Sequence, residues 1–375
     1  MWEVVGVVES WYPLLALLVS DGYTPSDCFL LPGDAAATFE RMRSRGGHRF
    51  LASVLGRRCG AISWDRFETQ LEAIERHGTG VVGWRDRRFP GYLRDIQRPP
   101  VLLFYRGRIE TLHARGVAIV GTRKPSARGV AFARSLARDL SAAGVMIASG
   151  LAHGIDTAAH RGTLEGGAPA VGVLGAGLDL PYPRENTGLI EEMTESGCVF
   201  SDQPMGTPPS RFTFPNRNRL ISAVSRAVVV VEAGERSGAR ITARWALEQG
   251  RDVGAVPGFP GDFRSRGVNA LLRDGAFLVE SAQDIFDAVP LLATASVPAG
   301  RDERVVEDGG DGIEVAGVDA ALVHAILARL SNRPTDPDSL ARQLEVESAT
   351  VGSVLSALEI EGKIGVDMLG CYYVL

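Results

Sequence analysis

The strongest constraint on the fold of this chain is an alternation, between residues 96 and 290, of short apolar runs with amphipathic segments of ten to fifteen residues. The runs are rich in β-branched residues and apolar throughout, which is typical of strands buried on both faces of a sheet. Amphipathic segments of that length are typical of helices that cover a parallel sheet. The runs are VAIVG (117–121), VMIAS (145–149), AVGVLG (170–175), CVFS (198–201), AVVVVEA (227–233), DVGAVPG (252–258) and AFLVE (276–280). The pattern predicts an α/β domain built on a parallel sheet.

Two neighbouring segments follow different patterns. Residues 1–95 alternate short helical patterns with Gly and Pro, which predicts a small helical module. No motif decides whether this module is a packing appendage or binds nucleic acid or another partner. Residues 291–316 are acidic, Gly-rich and aperiodic, which is typical of a solvated, flexible linker.

The last segment, residues 317–375, contains three helical patterns followed by a short alternation around a glycine, which predicts a winged helix. Its third helix carries Glu347, Glu359 and Glu361, and its one cation is Lys363 at the end. A helix that enters a major groove has to neutralise phosphates, and an acidic helix lacks the cations to do so. We therefore expect this domain to be structural or to bind a partner rather than duplex DNA.

Composition predicts a cytoplasmic protein of two or three domains. The chain has 375 residues, of which 45% are hydrophobic, enough for a sizeable core. No basic leader precedes the apolar N-terminus, and no apolar run reaches the ~18 residues that a membrane span needs. The spacing of the four cysteines predicts reduced, buried thiols and no metal site. They are Cys28, Cys59, Cys198 and Cys371.

The net charge of −5 does not exclude a nucleic-acid partner, because the acidic residues are unevenly distributed. Residues 96–290 carry 22 basic and 19 acidic side chains, whereas residues 317–375 carry 4 basic and 8 acidic ones. The acidity therefore belongs mainly to the C-terminal quarter of the chain.

Unusual residues follow the ends of the predicted strands, where parallel sheets bind ligands. After the first run, Gly121 permits a tight turn and is followed by the cations Arg123 and Lys124. After the second run, Ser149 and Gly150 are suited to a backbone nest for phosphate. Farther along, Asp156 either caps a helix, the interpretation we prefer, or orients an arginine of the site.

A second cluster lies in the stretch FTFPNRNR (212–219), which is part of a segment from 203 to 231 that has no carboxylate. Arginine forks bind phosphate oxygens, asparagine amides reach phosphates or base edges, and phenylalanine rings offer faces on which bases stack. If the stretch is extended, Arg217 and Arg219 point to the same side. The cluster consists of Phe212, Phe214, Asn216, Arg217, Asn218 and Arg219. Together with the basic turn, it predicts a site for single-stranded nucleic acid.

Other ligand chemistries have weaker support. The chain has neither the GxGxxG spacing of a dinucleotide fingerprint nor the GxxxxGK[ST] phosphate loop. His153 and His160 lack a third metal ligand in an ordered position. We therefore expect them to have a structural role, with their hydrogen bonds satisfied, rather than to bind a metal.

The motifs resemble, in order and spacing, those of the DprA/Smf family, the DNA-processing proteins of natural transformation. The resemblance spans about residues 80–290 and rests on VAIVGTRKPSARG, ASGLAHGIDTAAHRGTLEGG, AVGVLGAGLDLPYPREN, FPNRNRLISAVS, VVVEAGERSGARITARWALEQGR and AVPG. It implies an extended Rossmann-like domain that binds single-stranded DNA, loads the recombinase RecA and displaces single-strand-binding protein. It also implies a homodimer, with residues 267–276 as an interface candidate, and neither a cofactor nor catalytic turnover.

The resemblance also assigns roles to individual residues. The implied DNA-contacting residues are Arg123, Phe214, Arg217, Asn218 and Arg219, with Lys124 in the same basic turn. The residues implied to shape the pocket are Gly121, Ser149, Gly150, Ser237 and Gly238. Arg240 stands where the family usually has an aliphatic residue, and it either contacts phosphate or faces solvent.

Two other functions remain open from the sequence. The first is a nucleotide phosphoribohydrolase on a related sheet, for which Glu232 beside a glycine-rich turn is a conceivable catalytic carboxylate, although the PGGxGT turn of such enzymes is missing. The second is a duplex-specific regulator that acts through the winged helix, which the acidic third helix argues against.

Overall fold

A computed structural model describes residues 9–114 and 116–295 and, nearer the C-terminus, residues 322, 326, 329–330, 336–344, 346–360, 364–366 and 372–374. The chain divides into two compact units, residues 1–299 and residues 300–375.

Five helices precede the sheet in the first unit. They are α1 (Tyr12–Leu18), α2 (Pro25–Phe29), α3 (Ala35–Arg43), α4 (Gly47–Leu55) and α5 (Trp64–Arg76). Their apolar faces enclose Leu15, Phe39, Leu51 and Phe67 in one cluster, which also includes Leu102 of the sheet. Burial of these large side chains stabilises the module against the sheet rather than as a separate body.

A nine-stranded sheet forms the centre of the first unit. Its strands are β1 (Gly80–Gly83), β2 (Leu102–Gly107), β3 (Gly116–Gly121), β4 (Ile147–Ser149), β5 (Ala170–Val173), β6 (Cys198–Ser201), β7 (Ser225–Val231), β8 (Asp252–Ala255) and β9 (Phe277–Leu278). The order is β1-β2-β6-β5-β4-β3-β7-β8-β9, with β1 and β2 antiparallel to their neighbours and the other strands parallel. All seven apolar runs form strands, so the predicted parallel sheet is confirmed. The domain boundary predicted at residue 95 stays a prediction, although β1 already lies before it.

Helices cover both faces of the sheet. They are α6 (Ala127–Ala142), α7 (Ile155–Gly166), α8 (Thr187–Ser196), α9 (Thr213–Ala223), α10 (Gly238–Glu248), α11 (Arg266–Arg273) and α12 (Ala282–Ala288). Side chains alternate along β3, so Val117 and Ile119 pack with α6 and α7, whereas Ala118 and Val120 belong to the cluster that contains α9 and α10. Because both faces are covered, the central strands are apolar at most positions.

The second unit has the winged-helix fold. Its described elements are α13 (Pro337–Leu344), α14 (Ser348–Ile360) and an antiparallel hairpin of β10 (Ile364–Val366) and β11 (Tyr372–Val374). Of the first predicted helix, residues 322, 326, 329 and 330 are described and are helical. The core of this second unit contains four fully buried side chains, those of Ile326, Leu340, Val354 and Leu358. Glu361 and Lys363 lie outside the described residues.

Several smaller predictions concern segments near these units. The start of the predicted linker, Pro290–Ala295, forms a 3₁₀ helix, and residues 296–316 lie outside the described residues. Cys28 and Cys198 are free and buried, as predicted, but Cys59 is half-buried, and Cys371 lies outside the described residues. Among the described helices, none combines the length and the apolarity that crossing a bilayer requires.

Candidate nucleic-acid interface

A cavity of about 450 Å³ opens where β3 ends, between the first turns of α9 and α10. Its position agrees with the general placement of ligand sites at the carboxyl ends of parallel strands. The side chains and backbone that line it, hereafter the first cavity, include Gly121, Thr122, Arg123, Ala152, Asp156, Arg211, Phe214, Arg217, Asn218, Ser237, Gly238, Ile241 and Thr242. Seven of the twelve site residues inferred from the sequence therefore meet at one place, namely Gly121, Arg123, Phe214, Arg217, Asn218, Ser237 and Gly238.

The stretch FTFPNRNR is helical rather than extended. Residues from Thr213 onward form α9, and Pro215 lies in its first turn, where a missing N–H costs no intrahelical hydrogen bond. Neighbours two apart on a helix point in very different directions. The expectation that Arg217 and Arg219 share one side is therefore wrong, and the two guanidinium groups have different surroundings.

Arg217 forms the buried cationic floor of the first cavity. Its side chain is almost fully buried, and its Nη1 donates to the backbone oxygens of Gly150, at 2.6 Å, and Val173. Burial lowers the pKa of Arg217 to about 10, an effect that the nearby carboxyl of Asp156 opposes and the charge of Arg123 reinforces. The group remains cationic at neutral pH and is held in one orientation.

Asp156 supports this arginine and the loop beneath it. Its Oδ2 accepts hydrogen bonds from the backbone N–H groups of Gly150 (3.2 Å) and Ala152 (3.3 Å), which belong to the loop before α7 rather than to the helix. Burial raises the pKa of Asp156, and the charge of Arg217 acts in the opposite direction. The preferred interpretation, that Asp156 caps its own helix, is therefore not what the geometry shows: Asp156 binds the loop before α7 and acts on Arg217 through its charge.

Phe214 presents an aromatic ring close to two cations. The guanidinium carbons of Arg123 and Arg217 lie 5.2 Å and 5.8 Å from the ring centroid, within the range of cation–π attraction. The ring of Tyr182, which is 42% exposed, lies 5.6 Å from the same centroid. A flat, partly exposed ring flanked by positive charge is suited to a base and its phosphates.

Gly150 and Gly121 permit close contacts that a side chain would prevent. A Cβ on Gly150 would lie 2.6 Å from Nη1 of Arg217, and a Cβ on Gly121 would lie 2.0 Å from the backbone oxygen of Val231. The guanidinium group can reach the loop only because residue 150 has no side chain.

The start of α10 forms the opposite wall of the first cavity. Ser237 is the N-cap, and its Oγ accepts a hydrogen bond from the N–H of Ala239 at 3.3 Å. Nothing lies within 4 Å of the position that a Cβ on Gly238 would occupy, so the helix start is open. The Nδ2 of Asn218 donates to the oxygen of Gly238 at 3.3 Å and joins α9 to α10. Open N–H groups at a helix start attract anions.

Arg219 and Ser149 are buried away from the first cavity. Arg219 forms a 2.6 Å ion pair with Asp202, and its Nε donates to the oxygen of Arg98 at 2.9 Å. The side chains of this pair are only 5% and 10% exposed, so their interaction is shielded from solvent. Ser149 is fully buried, and its Oγ donates to the oxygen of Ile119 at 2.6 Å.

Three other predicted residues lie around the first cavity without lining it. Gly150 lies beneath Arg217, and Lys124 adjoins Arg123 in the basic turn, where its N–H donates to Thr122 Oγ1 at 3.2 Å. Arg240 belongs to a neighbouring cavity, where its Nη1 donates to the oxygen of Glu235.

The ring nitrogens of His160 lack the hydrogen-bond partners that were expected from the sequence. The ring is fully buried, and neither nitrogen has a hydrogen-bond partner among the described residues. Burial, together with the charge of Arg217, lowers the pKa of His160 to about 3, so the ring is neutral at physiological pH. His153 is half exposed and lies 3.7 Å from Glu185. In the described ranges, three or more potential metal ligands do not cluster anywhere.

Glu232 stabilises the start of α6. It has a positive φ of 52°, and its carboxyl accepts hydrogen bonds from the N–H of Ser126, at 2.8 Å, and from the Ser126 hydroxyl. Leu151 and Arg98 are the two other non-glycine residues with positive φ in the described chain, and their oxygens accept from Asn186 and Arg219. Such conformations are costly and often support functional sites.

Sequence reasoning overlooked Tyr182 and Ile241. Each follows a strand end or borders a stretch that had been identified, so position supplied a signal. The composition of the individual turns did not separate residues that line the cavity from their neighbours.

The fold and the site define a class of protein: a parallel α/β protein that presents fixed cations and an aromatic ring at the carboxyl edge of its sheet. A profile of the DNA recombination-mediator protein A family matches residues 80–290, and a profile of the DprA winged helix domain matches residues 317–366. The chain therefore belongs to the DNA recombination-mediator protein A (DprA) family, as the motifs indicated.

Several curated relatives are similar to it. The DNA processing protein DprA of Bacillus subtilis is 38% identical over 221 residues, which are 59% of this chain and 74% of the relative. Protein Smf of Escherichia coli is 42% identical over 221 residues, which are 59% of each chain.

Solved structures of the same family have a similar fold. The X-ray structure of DprA from Streptococcus pneumoniae has a TM-score of 0.64 and 34% identity, and it covers 75% of this chain and 98% of its own. A structure of DprA from Helicobacter pylori, described as giving insight into that protein's single-stranded DNA binding mode, has a TM-score of 0.51 and 28% identity. It covers 57% of this chain and 96% of its own.

Proposed function

We propose that this protein binds single-stranded DNA without sequence preference and that the first cavity is the binding site. The observation that carries the proposal is the partly exposed ring of Phe214 with the guanidinium carbons of Arg123 and Arg217 at 5.2 and 5.8 Å from its centroid. Every base has a face that stacks on a ring, and every nucleotide has a phosphate that arginine binds, so this arrangement does not discriminate among sequences.

The residues have different roles in this proposal. Arg123 is exposed and contacts phosphate, with Lys124 beside it in the basic turn. Arg217 is buried and supplies a fixed positive potential beneath the strand, because backbone oxygens accept hydrogen bonds from its Nη1 and hold the guanidinium group in place. Arg219 and Ser149 hold the scaffold, and the open start of α10 binds a second phosphate.

A matched set of variants tests the site. We expect Arg123→Ala and Phe214→Ala each to weaken binding of labelled oligo-dT by roughly tenfold or more, because each removes a charge-assisted or stacking contact of about 1–3 kcal/mol. Arg76→Ala, which removes an exposed arginine of α5, is the control. Anisotropy titrations give the affinities, and circular dichroism checks the fold. Unchanged affinity in folded Arg123→Ala and Phe214→Ala would reject the site.

Family membership supports a wider role. The protein loads RecA onto incoming strands during natural transformation, displaces single-strand-binding protein and acts as a homodimer. The test is RecA ATPase activity on oligonucleotide coated with single-strand-binding protein. Addition of this chain should shorten the lag before ATP hydrolysis, and a lag that does not change argues against loading.

A phosphoribohydrolase activity has less support. Glu232, the carboxylate that such chemistry would need, accepts hydrogen bonds from Ser126 at the start of α6 and does not line the first cavity. We propose that the protein has no catalytic turnover. Incubation with nucleoside monophosphates, followed by chromatography for free base, tests this, and turnover would contradict it.

A further inference from the structure

A loop between β8 and α11 exposes two phenylalanine rings that the proposed site does not use. This aromatic loop comprises residues 257–265, with the sequence PGFPGDFRS. Phe259 is 81% exposed and Phe263 is 59% exposed. Large apolar side chains are normally buried, so two exposed rings within five residues indicate a contact surface.

Hydrogen bonds hold the aromatic loop in a defined conformation. The side chain of Asn269, on α11, accepts from the N–H of Gly258 at 3.1 Å and donates to its oxygen at 2.9 Å. Within the loop, the N–H of Asp262 donates to the oxygen of Phe259, and the N–H of Ser265 donates to the oxygen of Asp262. The rings are therefore presented by an ordered backbone, which lowers the entropic cost of binding.

The aromatic loop is continuous with the basic turn beside the first cavity. The guanidinium carbon of Arg264 lies 4.4 Å from the centroid of the Phe263 ring. The Nε of the same arginine donates to the oxygen of Lys124 at 3.1 Å, and Lys124 follows Arg123, which lines the first cavity. Ring, cation and basic turn thus repeat the combination found around Phe214.

A second cavity, of about 560 Å³, lies between the aromatic loop and α10. Arg240, Arg266 and Arg273 line it, as do two carboxylates, Glu235 and Asp262. The first turn of α10 separates the two cavities, since Ser237, Gly238 and Ile241 line the first and Arg240 lines the second. A polyanion that leaves the first cavity on this side therefore meets further arginines.

We propose that the aromatic loop is a second stacking platform for the same strand, on which bases that extend beyond the first cavity stack on Phe263 and Phe259. Arg240 and Arg266, which line the second cavity and lie outside the interface candidate of residues 267–276, hold their phosphates. The inference rests on the proposed single-strand binding. It favours nucleic acid over a protein partner because the exposed ring of Phe263 lies beside Arg264 and arginines line the adjacent second cavity.

Oligonucleotide length separates this platform from the first cavity. In the intact chain, Phe259→Leu combined with Phe263→Leu keeps apolar side chains but removes the ring faces. We expect this double variant to bind oligo-dT of about 20 nucleotides roughly tenfold more weakly than the parent, because it loses stacking on two rings. Binding of oligo-dT of about 5 nucleotides, enough to fill the first cavity, should be unchanged.

Two further variants complete the design. Phe259→Tyr combined with Phe263→Tyr keeps the rings and should retain the parent's affinity for the long oligonucleotide, and Leu247→Ala, at a 63% exposed position that lines neither cavity, is the surface control. Phe263→Trp should show quenched fluorescence when the long oligonucleotide is added, relative to the parent with its own tryptophans.

The outcomes distinguish this inference from the proposed function. If the parent binds both lengths and the Leu double variant keeps its affinity for the long one, the platform is refuted and the first cavity stands. A change in sedimentation coefficient, with DNA affinity retained, would instead assign the loop to contact between copies of the chain and would also overturn the inference. If the parent binds neither length, the proposed function itself fails.

Discussion

Arg217 places a positive charge where solvent barely reaches it. A buried charge interacts more strongly with a nearby anion than an exposed one, because the surrounding dielectric is lower. The cost of burial is offset by backbone oxygens and by the field of Asp156. A phosphate that enters the cavity therefore meets a potential that needs no rearrangement of the protein.

His160 makes the stability of the fold sensitive to acid. Its pKa is about 3 in the folded state, against 6.5 as the ordinary value, so the unfolded chain binds the proton first as the pH falls. The stability contributed by neutral His160 is present above pH ~6.5 and decreases, by about 1.4 kcal/mol per pH unit, until the pH approaches ~3.

Replacing the ring removes this sensitivity. Between pH 7 and pH 5, we expect the free energy of unfolding of His160→Phe to fall by about 2 kcal/mol less than that of the parent. Roughly 1.5 pH units of that interval lie below the ordinary pKa of histidine. The ring nitrogens have no partner among the described residues, so phenylalanine breaks no hydrogen bond to them. Urea denaturation at both pH values measures the difference, and equal losses in parent and variant would contradict it. His153→Gln, at a half-exposed position, is the control.

At the scale of single elements, α9 is fixed to the sheet by a buried ion pair. Arg219 on α9 and Asp202, directly after β6, are 2.6 Å apart, and both side chains are nearly buried. Removal of one partner leaves the other charged and uncompensated, which typically costs about 3–5 kcal/mol.

A double-mutant cycle tests this role. We expect Arg219→Met and Asp202→Leu each to lower the free energy of unfolding by about 3 kcal/mol or more, and the double variant to lose much less than the sum, because it contains no unpaired charge. Urea denaturation gives the three values. Additive losses would show that the pair is not coupled.

Elements differ in how far sequence could predict them. The seven apolar runs became strands because burial on both faces leaves an unambiguous signal. Strands β1 and β2 were not identified, since GVVG is short and a Pro pair precedes LLFYRG. Helix α9 was considered only as an extended stretch. Pro215 and two asparagines lower helix propensity there, but proline is tolerated in a first turn.

The residues of the site were predictable by position but not by orientation. A strand end singled out Arg123, composition singled out Phe214 and Arg217, and the structure places all three around the first cavity. Arg219, in contrast, turns away from the first cavity and toward Asp202. Asp202 lies 17 residues away along the chain, and local sequence patterns carry no information about a contact at that separation.

At the scale of the whole molecule, the excess of acidic residues and the first cavity lie in different parts of the chain. Residues 296–375 contain 6 basic and 14 acidic side chains, so the overall negative charge arises outside the unit that holds the first cavity. Net charge is consequently a poor guide to what this chain binds.

Truncation after residue 295 tests the separation. We expect residues 1–295 to bind oligo-dT at least as tightly as the full chain, because they form a compact unit with its own cores and lose the acidic segment. The logarithm of the binding constant should fall with the logarithm of salt concentration with a slope of about −2 in both proteins, as about three neutralised phosphates require. Loss of binding by a folded truncated protein would place part of the site in residues 296–375.

The pairing of Glu232 with Ser126 has a directional consequence. Two helices, α6 and α10, begin near the end of β3, and the backbone dipole of each attracts negative charge at its start. The chain's own carboxyl already occupies the first of these places, whereas Gly238 leaves the second accessible. In the proposed complex with single-stranded DNA, the phosphodiester backbone is therefore drawn toward the start of α10 rather than that of α6, which gives an otherwise uniform polymer one preferred orientation.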